Sequence, residues 1–476
     1  MTTTSVSERR DTAPAKFIVD AVGDVGRPTA GLPSCKDIEH IPGEGGMFAG
    51  VTNMIGWGLR GNTHLVEQQK KYGRIYRTKF GFEPIVCVSD PQLLMQITRN
   101  EDQAWSAALA WRFFFDGVDP TTQTLDSPVT LDFEPHKEAR KLLSPAFAPA
   151  ATASYLDVAS PMFEAAIDRF VADGRTSFKS DIRRLLANVS VRIFMGIDDP
   201  KEGEMLDRAL ADFWSAPLAL SKNPWISPTW RRAMRGHKRL REALRARVDE
   251  RRKNGGTDLF SRLCAESRGA EWLDDDGLVR LFMGVMAGAF DTTSFALASM
   301  AYMLAKHPDW QDRLREEARS ISSKRITYEE TKRMVVTDRA WKETLRLFPV
   351  ASDLPRRALH DVQLGEWRIP AGAFVLAMIG PVLQDAEWWT NPTKFDPDRF
   401  SDDRAEDKKH KGLFLPFGAG AHACIGSNLA NVEAKAFWHA MLSRCRFRLE
   451  HDYEGQHRYS PLGVVSGDVA LTIEKI

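Results

Sequence analysis

No two of the five cysteines, Cys35, Cys87, Cys264, Cys424 and Cys445, stand at a Cys-x-x-Cys spacing. That argues against the common zinc sites, and an odd, scattered set argues against a disulfide framework. A reducing compartment such as the cytoplasm is the simpler reading. The chain also lacks an excess of either charge: 65 Lys and Arg stand against 64 Asp and Glu, a formal net charge of +1. Nothing there calls for nucleic acid or for an acidic partner across the whole surface. Residues 1–46 contain no apolar run long enough for a signal segment or a membrane anchor, so they read as a polar, partly disordered tail. No internal repeat and no low-complexity linker divides the remainder. Gly418-x-Gly420 is not a dinucleotide fingerprint, because no strand–turn–helix unit surrounds it.

One long apolar run is present. Leu281 to Ala305 carries a single charge, Asp291. Its length would span a bilayer, yet an Asp at mid-span is costly, and a helix apolar all round also suits the core of a large protein. The spacing predicts a buried helix over 276–306. Elsewhere, helix is predicted over Leu65–Tyr72, after the N-cap Asp90, through about residue 264, over Val336–Phe348 and over Ser427–Arg444. Residues 74–88 read as a β-hairpin, and 361–380 and 445–476 as short strands and turns. Residues 104–130 read as irregular and aromatic.

The most specific feature is Phe417-Gly-Ala-Gly420-Ala-His422-Ala-Cys424-Ile-Gly426. Glycines let the backbone approach something large and flat and turn its N–H groups towards a sulfur. Such surroundings favour a thiolate, a soft and strong ligand for iron. At these residues the sequence resembles the cytochrome P450 family, whose cysteine loop reads Phe-x-x-Gly-x-(Arg or His)-x-Cys-x-Gly. The resemblance covers about residues 60–476, with the family's motifs in the family's order.

Other segments carry it further. Glu343-x-x-Arg346 stands on a predicted helix, where an i,i+3 pair is adjacent. In the family such a pair is locked to an arginine that matches Arg399 here, within Pro397-Asp398-Arg399-Phe400. Asp291-Thr292 is an acid followed by an alcohol inside an apolar helix. A Thr there can bond back to the i−4 carbonyl, bend the helix and admit water. The resemblance implies that the pair delivers protons while dioxygen is activated. His136-x-x-x-Arg140 places two side chains on one helical face. With Arg356 and His422 these match the family's donors to the haem propionates, and Arg357 could exchange roles with Arg356. Lys408-Lys409-His410-Lys411 reads as a solvated run.

The resemblance implies a mainly α fold, a helical domain with a small β-rich lobe and haem b buried between long helices. His136 and Cys424 would touch one cofactor, so residues 47–476 are expected to form a single haem domain. The expected activity is a monooxygenase that hydroxylates a hydrophobic substrate, whether steroid, terpenoid or fatty acid. Too few residues follow Cys424 to hold a fused reductase, so electrons would come from NAD(P)H through a separate ferredoxin and ferredoxin reductase. The expected pocket draws on 105–115, 214–230, Phe282, Met286, Ala289, Val350, Ala351 and 462–464. A peroxide-driven or isomerising relative is the alternative, with a non-enzymatic haem sensor behind it.

Overall fold

Between residues 130 and 350 apolar residues recur mostly at helical spacing, and there the chain builds a stack of helices. The structure, a computed structural model, describes residues 35–46, 48–118, 127–219, 221–267, 273–321, 323–459 and 462–476. The helices used below are α1 (Ala49–Tyr72), α2 (Pro91–Arg99), α3 (Ala107–Phe115), α4 (Phe133–Leu143), α5 (Pro149–Asp173), α6 (Phe178–Met195), α7 (Pro200–Phe213) and α8 (Pro228–Asn254). They continue with α9 (Leu259–Glu266), α10 (Asp275–Phe290), α11 (Thr292–Lys306), α12 (Pro308–Ser320), α13 (Val335–Leu347) and α14 (Ser427–Leu442). Their starts are chemically marked. Asp90 accepts from Gln92 N and Leu93 N, and Ser106, Ser227, Asp258 and Asp274 cap their helices in the same manner.

Strands β1 (Ile75–Phe80) and β2 (Glu83–Val88) form the expected hairpin, in register from Ile75 opposite Val88. With β3 (Trp105–Ser106), β5 (Asp353–Ala358) and β8 (Phe374–Met378) they make one sheet in the order β1-β2-β8-β5-β3. A second sheet orders β4 (Arg175–Ser177), β12 (Ala470–Lys475) and β9 (Cys445–Leu449) as β4-β12-β9. Two small hairpins complete the β-structure: β6 (Val362–Leu364) with β7 (Trp367–Ile369), and β10 (His457–Tyr459) with β11 (Gly463–Val465). The largest core cluster joins residues from Phe115 to Ile473, with α10 and α11 inside it through Leu281, Phe282, Met283, Leu297 and Met300.

Three readings change. Residues 107–115 form α3 rather than irregular chain. Its sequence is apolar nearly all round, so no polar alternation marks it, but Ser106 Oγ accepts from Leu109 N at 2.9 Å and starts the helix. Residues 119–126 of that stretch lie outside the described residues. The 276–306 helix is two helices, broken at Asp291. By length and composition its span would cross a membrane, but most of it is buried in the protein. Residues 1–34 of the stretch read as a tail lie outside the described residues, but 35–46 pack against the fold. Ile38 and Ile41 are buried, and Arg77 N donates to Pro42 O at 2.8 Å beside the β1 edge.

Gly61 lets α1 turn. It adopts φ +46, and a Cβ there would stand 2.3 Å from His457 Nδ1, which also accepts from Asn62 N at 3.0 Å. Gly61→Ala is expected to cost about 2 kcal/mol or more. The thermal unfolding midpoint measures this, and an unchanged midpoint would show that the α1–β10 contact yields freely.

Candidate active site

The cysteine loop is shaped by two glycines. Gly418 and Gly420 adopt φ +69 and +68, and a Cβ on Gly420 would meet Thr98 O at 2.0 Å. Cys424 N donates to Phe417 O at 2.8 Å, which closes the loop. Gly426 has an ordinary φ of −87. A Cβ on it would only reach normal contact with Phe147, at 3.9 Å, and with Cys424 Sγ, at 4.0 Å. The Cys424 side chain is solvent-reachable on one side and closely surrounded elsewhere. Burial pushes its thiol above the ordinary value; the N–H groups of Gly426 and Ser427 and the charge of Arg140 pull the other way. The loop's N–H groups act in the direction expected from its glycines, and burial opposes them. A cation bound at the sulfur would reverse that balance.

Beside the loop, α4 and β5 bring the basic residues together. Arg140 Nη1 donates to Ala423 O at 2.8 Å. The rings of His136 and His422 lie 4.1 Å apart. His422 Nε2 is 3.3 Å from Asp132, whose buried carboxylate also accepts from Ser106 Oγ at 2.5 Å and from Ala107 N at 3.0 Å and Ala108 N at 3.1 Å. Burial lowers His136 to about 3, with His422 and Arg140 adding to the effect, so His136 is neutral. Burial also lowers His422, and Asp132 opposes this. Arg356 and Arg357 are separated by the strand. Arg357 pairs with Glu83 at 2.8 Å and donates to Gly372 O. Arg356 is buried on the other face, lowered by burial to about 10, and has no carboxylate within ion-pair distance among the described residues.

At the α10–α11 break, Thr292 Oγ1 donates to Gly288 O at 2.7 Å, the expected i−4 bond. A Cβ on Gly288 would find nothing within 4 Å, so that face of α10 is open. Asp291 is raised by burial, and Arg183 of α6, 2.7 Å away, opposes the rise. Arg183 is shared: both its Nη atoms donate to Asp207 of α7, each at 3.1 Å.

Glu343, Arg346 and Arg399 are wholly buried together. Arg346 donates to Glu343 through Nε at 2.7 Å and Nη2 at 2.9 Å, and Arg399 Nε reaches the same carboxylate at 3.0 Å. Arg346 Nη1 also holds the carbonyls of Leu383 and Pro392. A fourth member was not visible in the sequence. Glu406 accepts from Arg399 at 2.9 Å, from Thr390 N at 3.0 Å and from Arg404 at 2.6 Å.

The expected pocket is partly corrected. Phe282 and Met286 are buried in the core, Phe282 against Phe260 at 4.7 Å. Trp230 is buried and Trp225 is 88% exposed, so neither lines a cleft. Phe115 packs on Phe213 at 5.4 Å and on Trp214 at 5.2 Å, an aromatic cluster between α3 and the end of α7. An apolar helix surrounded on several sides does not reveal in sequence which face meets a ligand. Asp132, Arg183 and Asp207 were missed because each acts across distant elements with no local pattern.

The sequence profile described as "Cytochrome P450" matches residues 45–472. The chain belongs to the cytochrome P450 family. Cytochrome P450 136 of Mycobacterium tuberculosis is 29% identical over 388 residues, 79% of this chain and 76% of that one. Cyclooctat-9-en-7-ol 5-monooxygenase of Streptomyces melanosporofaciens is 28% identical over 79% of this chain and 83% of its own. The solved structure of retinoic acid bound cyanobacterial CYP120A1 superposes with a TM-score of 0.82 at 21% identity, covering 92% of this chain and 99% of that one. The fold of this P450 is thus the family's, mainly helical with small β-sheets, and its class is that of the haem-thiolate monooxygenases. The residues present fit a haem. A lone thiol sits at a helix start, and no group of three His, Cys, Asp or Glu among the described residues could hold a bare metal ion. Among the described residues, Arg356 is a buried charge with no carboxylate at ion-pair distance, and His136 Nε2 is buried without a hydrogen-bond partner.

The buried network gives a pH signature. Burial alone would raise Glu406, but Arg404, Thr390 N–H and Arg399 bring it down to about 2. Its contribution to stability is complete above its ordinary value of 4.5 and is lost as pH falls through about 2. Glu406→Gln is therefore expected to flatten the acid limb of the stability–pH curve over that window. Denaturant titrations at each pH check this, and an unaltered limb would remove Glu406 from the acid sensitivity.

Proposed function

We propose that this P450 hydroxylates a bulky polycyclic or terpenoid molecule, with Cys424 holding the haem iron. When bound, haem supplies dioxygen activation and oxygen insertion into a C–H bond. The protein binds and orients. Arg356, Arg140, His136 and His422 would receive the two carboxylates of the haem, Arg356 as the buried cation best able to take one. Phe417 and Gly426 shape the sulfur's surroundings. Glu343, Arg346 and Arg399 brace the segment that leads into the cysteine loop.

Asp291 and Thr292 would move protons. The overall balance converts substrate, dioxygen, two electrons and two protons into alcohol and water, so the site needs a route from solvent. Asp291 is raised towards its protonated form by burial. The Thr292 hydroxyl donates to Gly288 O, which leaves its lone pairs free to accept a hydrogen bond from a proton-carrying water on the open face of α10. This acid–alcohol pair supports the electron-dependent reading over a peroxide-driven one. A separate ferredoxin and an NAD(P)H-dependent reductase would supply the electrons, and the cytoplasm is the proposed compartment.

The observation that carries the substrate class is the aromatic cluster of half-buried Trp111, Phe114 and Trp214 around the buried ring of Phe115, whose outer faces suit fused rings. Arg183, the arginine that faces the break, is already engaged by two carboxylates and offers no anchor to a fatty acid. The names of relatives point the same way: cyclooctat-9-en-7-ol for the Streptomyces enzyme and ent-kaurenoic acid for an Arabidopsis thaliana oxidase.

The reduced, carbon-monoxide-treated protein is expected to show the red-shifted Soret band of thiolate ligation, and Cys424→Ser to lose it. A band that survives this substitution would assign the iron to another ligand. Polycyclic ligands are expected to drive the low-to-high-spin shift at lower concentration than straight-chain fatty acids. The reverse order would overturn the substrate reading.

A further inference from the structure

The break at Asp291 frees main-chain carbonyls that an unbroken helix would occupy. Thr292 takes one of them, Gly288 O. Another is Ala287 O, the carbonyl that Asp291 N–H would meet in a continuous helix. It accepts instead from Trp214 Nε1 at 2.8 Å. Ala287 is buried, so without that donor its carbonyl would have little access to water.

Trp214 is not a local residue. It closes α7, with its N donating to Leu210 O at 2.9 Å, and its ring packs on Phe115 of α3 and on Phe213. A second tie runs from the same helix. Asp207 binds Arg183 through both Nη atoms, and Arg183 Nε stands 2.7 Å from Asp291. Asp207 and Trp214 are two helical turns apart and so project from one side of α7. One helix therefore grips the break at two points, one electrostatic and one main-chain.

We propose that Trp214 is a positioning residue whose indole N–H latches the α10–α11 break, beside the Asp207–Arg183–Asp291 clasp, so that the seating of α7 sets the placement of Asp291 and Thr292. The functional weight of this latch rests on the reading of Asp291 and Thr292 as a proton route. Its geometry does not. A substrate seated against the α3–α7 aromatic cluster would then bear directly on the groups that move protons.

Trp214→Phe keeps the aromatic packing and removes the N–H. Hydrogen exchange of the peptide spanning 286–296, followed by mass spectrometry in the haem-loaded protein, is expected to quicken several-fold, while the peptide spanning 417–426 is unchanged. Unchanged exchange at 286–296 would overturn the proposal. Asp207→Asn, which loosens the clasp without touching the core, is expected to give a smaller rise in the same peptide and serves if Trp214→Phe takes up no haem. No rise there counts equally against the latch. Product formed per NAD(P)H consumed separates the two readings. Faster exchange with lower coupling and more peroxide supports both. Faster exchange with wild-type coupling supports the latch and removes the proton route.

Discussion

Two guanidinium groups and one carboxylate, all without solvent contact, form the constraint on which the cysteine side of this P450 depends. Glu343 takes Arg346 and Arg399 together, and Glu406 balances the second positive charge. A buried ion pair is weak evidence of stability in itself, since desolvation consumes most of the Coulombic gain. Its value lies in direction. Arg346 and Arg399 between them hold the carbonyls of Leu383, Thr390, Pro392 and Lys394, in a stretch with little regular structure. Without that frame, the chain between β8 and the cysteine loop would have few reasons to adopt one path.

The frame ends where the chemistry begins. Gly418 and Gly420 turn the loop, and the start of α14 presents N–H groups to the sulfur, yet burial still outweighs them. The protein prepares a position more than a charge. The opposite side follows a similar logic. Asp291 is raised by burial and opposed by an arginine that it must share with α7. Neither group is settled by its nearest neighbours alone. Each is held by opposing contributions, burial against a neighbouring arginine or N–H group.

The sequence was legible where chemistry is local. The cysteine loop, Glu343-x-x-Arg346, Arg399, the β1–β2 hairpin and the Asp90 cap all depend on residues a few positions apart, and each stands where its spacing places it. Residues 107–115 were not legible, because a run that is apolar at every position but Arg112 shows no period. The break at Asp291 was half legible: the Thr292 back-bond follows from local rules, but the Trp214 donor comes from a helix end 73 residues away. Asp132, Arg183 and Glu406 share this character. They pair across elements, and only folding reveals their partners. The same holds for Phe282 and Met286, whose apolar character was clear and whose facing was not.

Asp132 joins two regions that the sequence keeps apart. Its one carboxylate receives the first turn of α3 and, from the cysteine loop, His422. Substitutions at Ser106 and at His422 therefore share an acceptor, and their effects cannot be independent. A change at the start of α3 also redistributes the hydrogen bonds around His422 and Asp132. For this chain, altering the start of α3 and altering the cysteine loop at His422 are not separate directions of variation. They meet in a single buried residue, and any lineage that explores one must carry the other along.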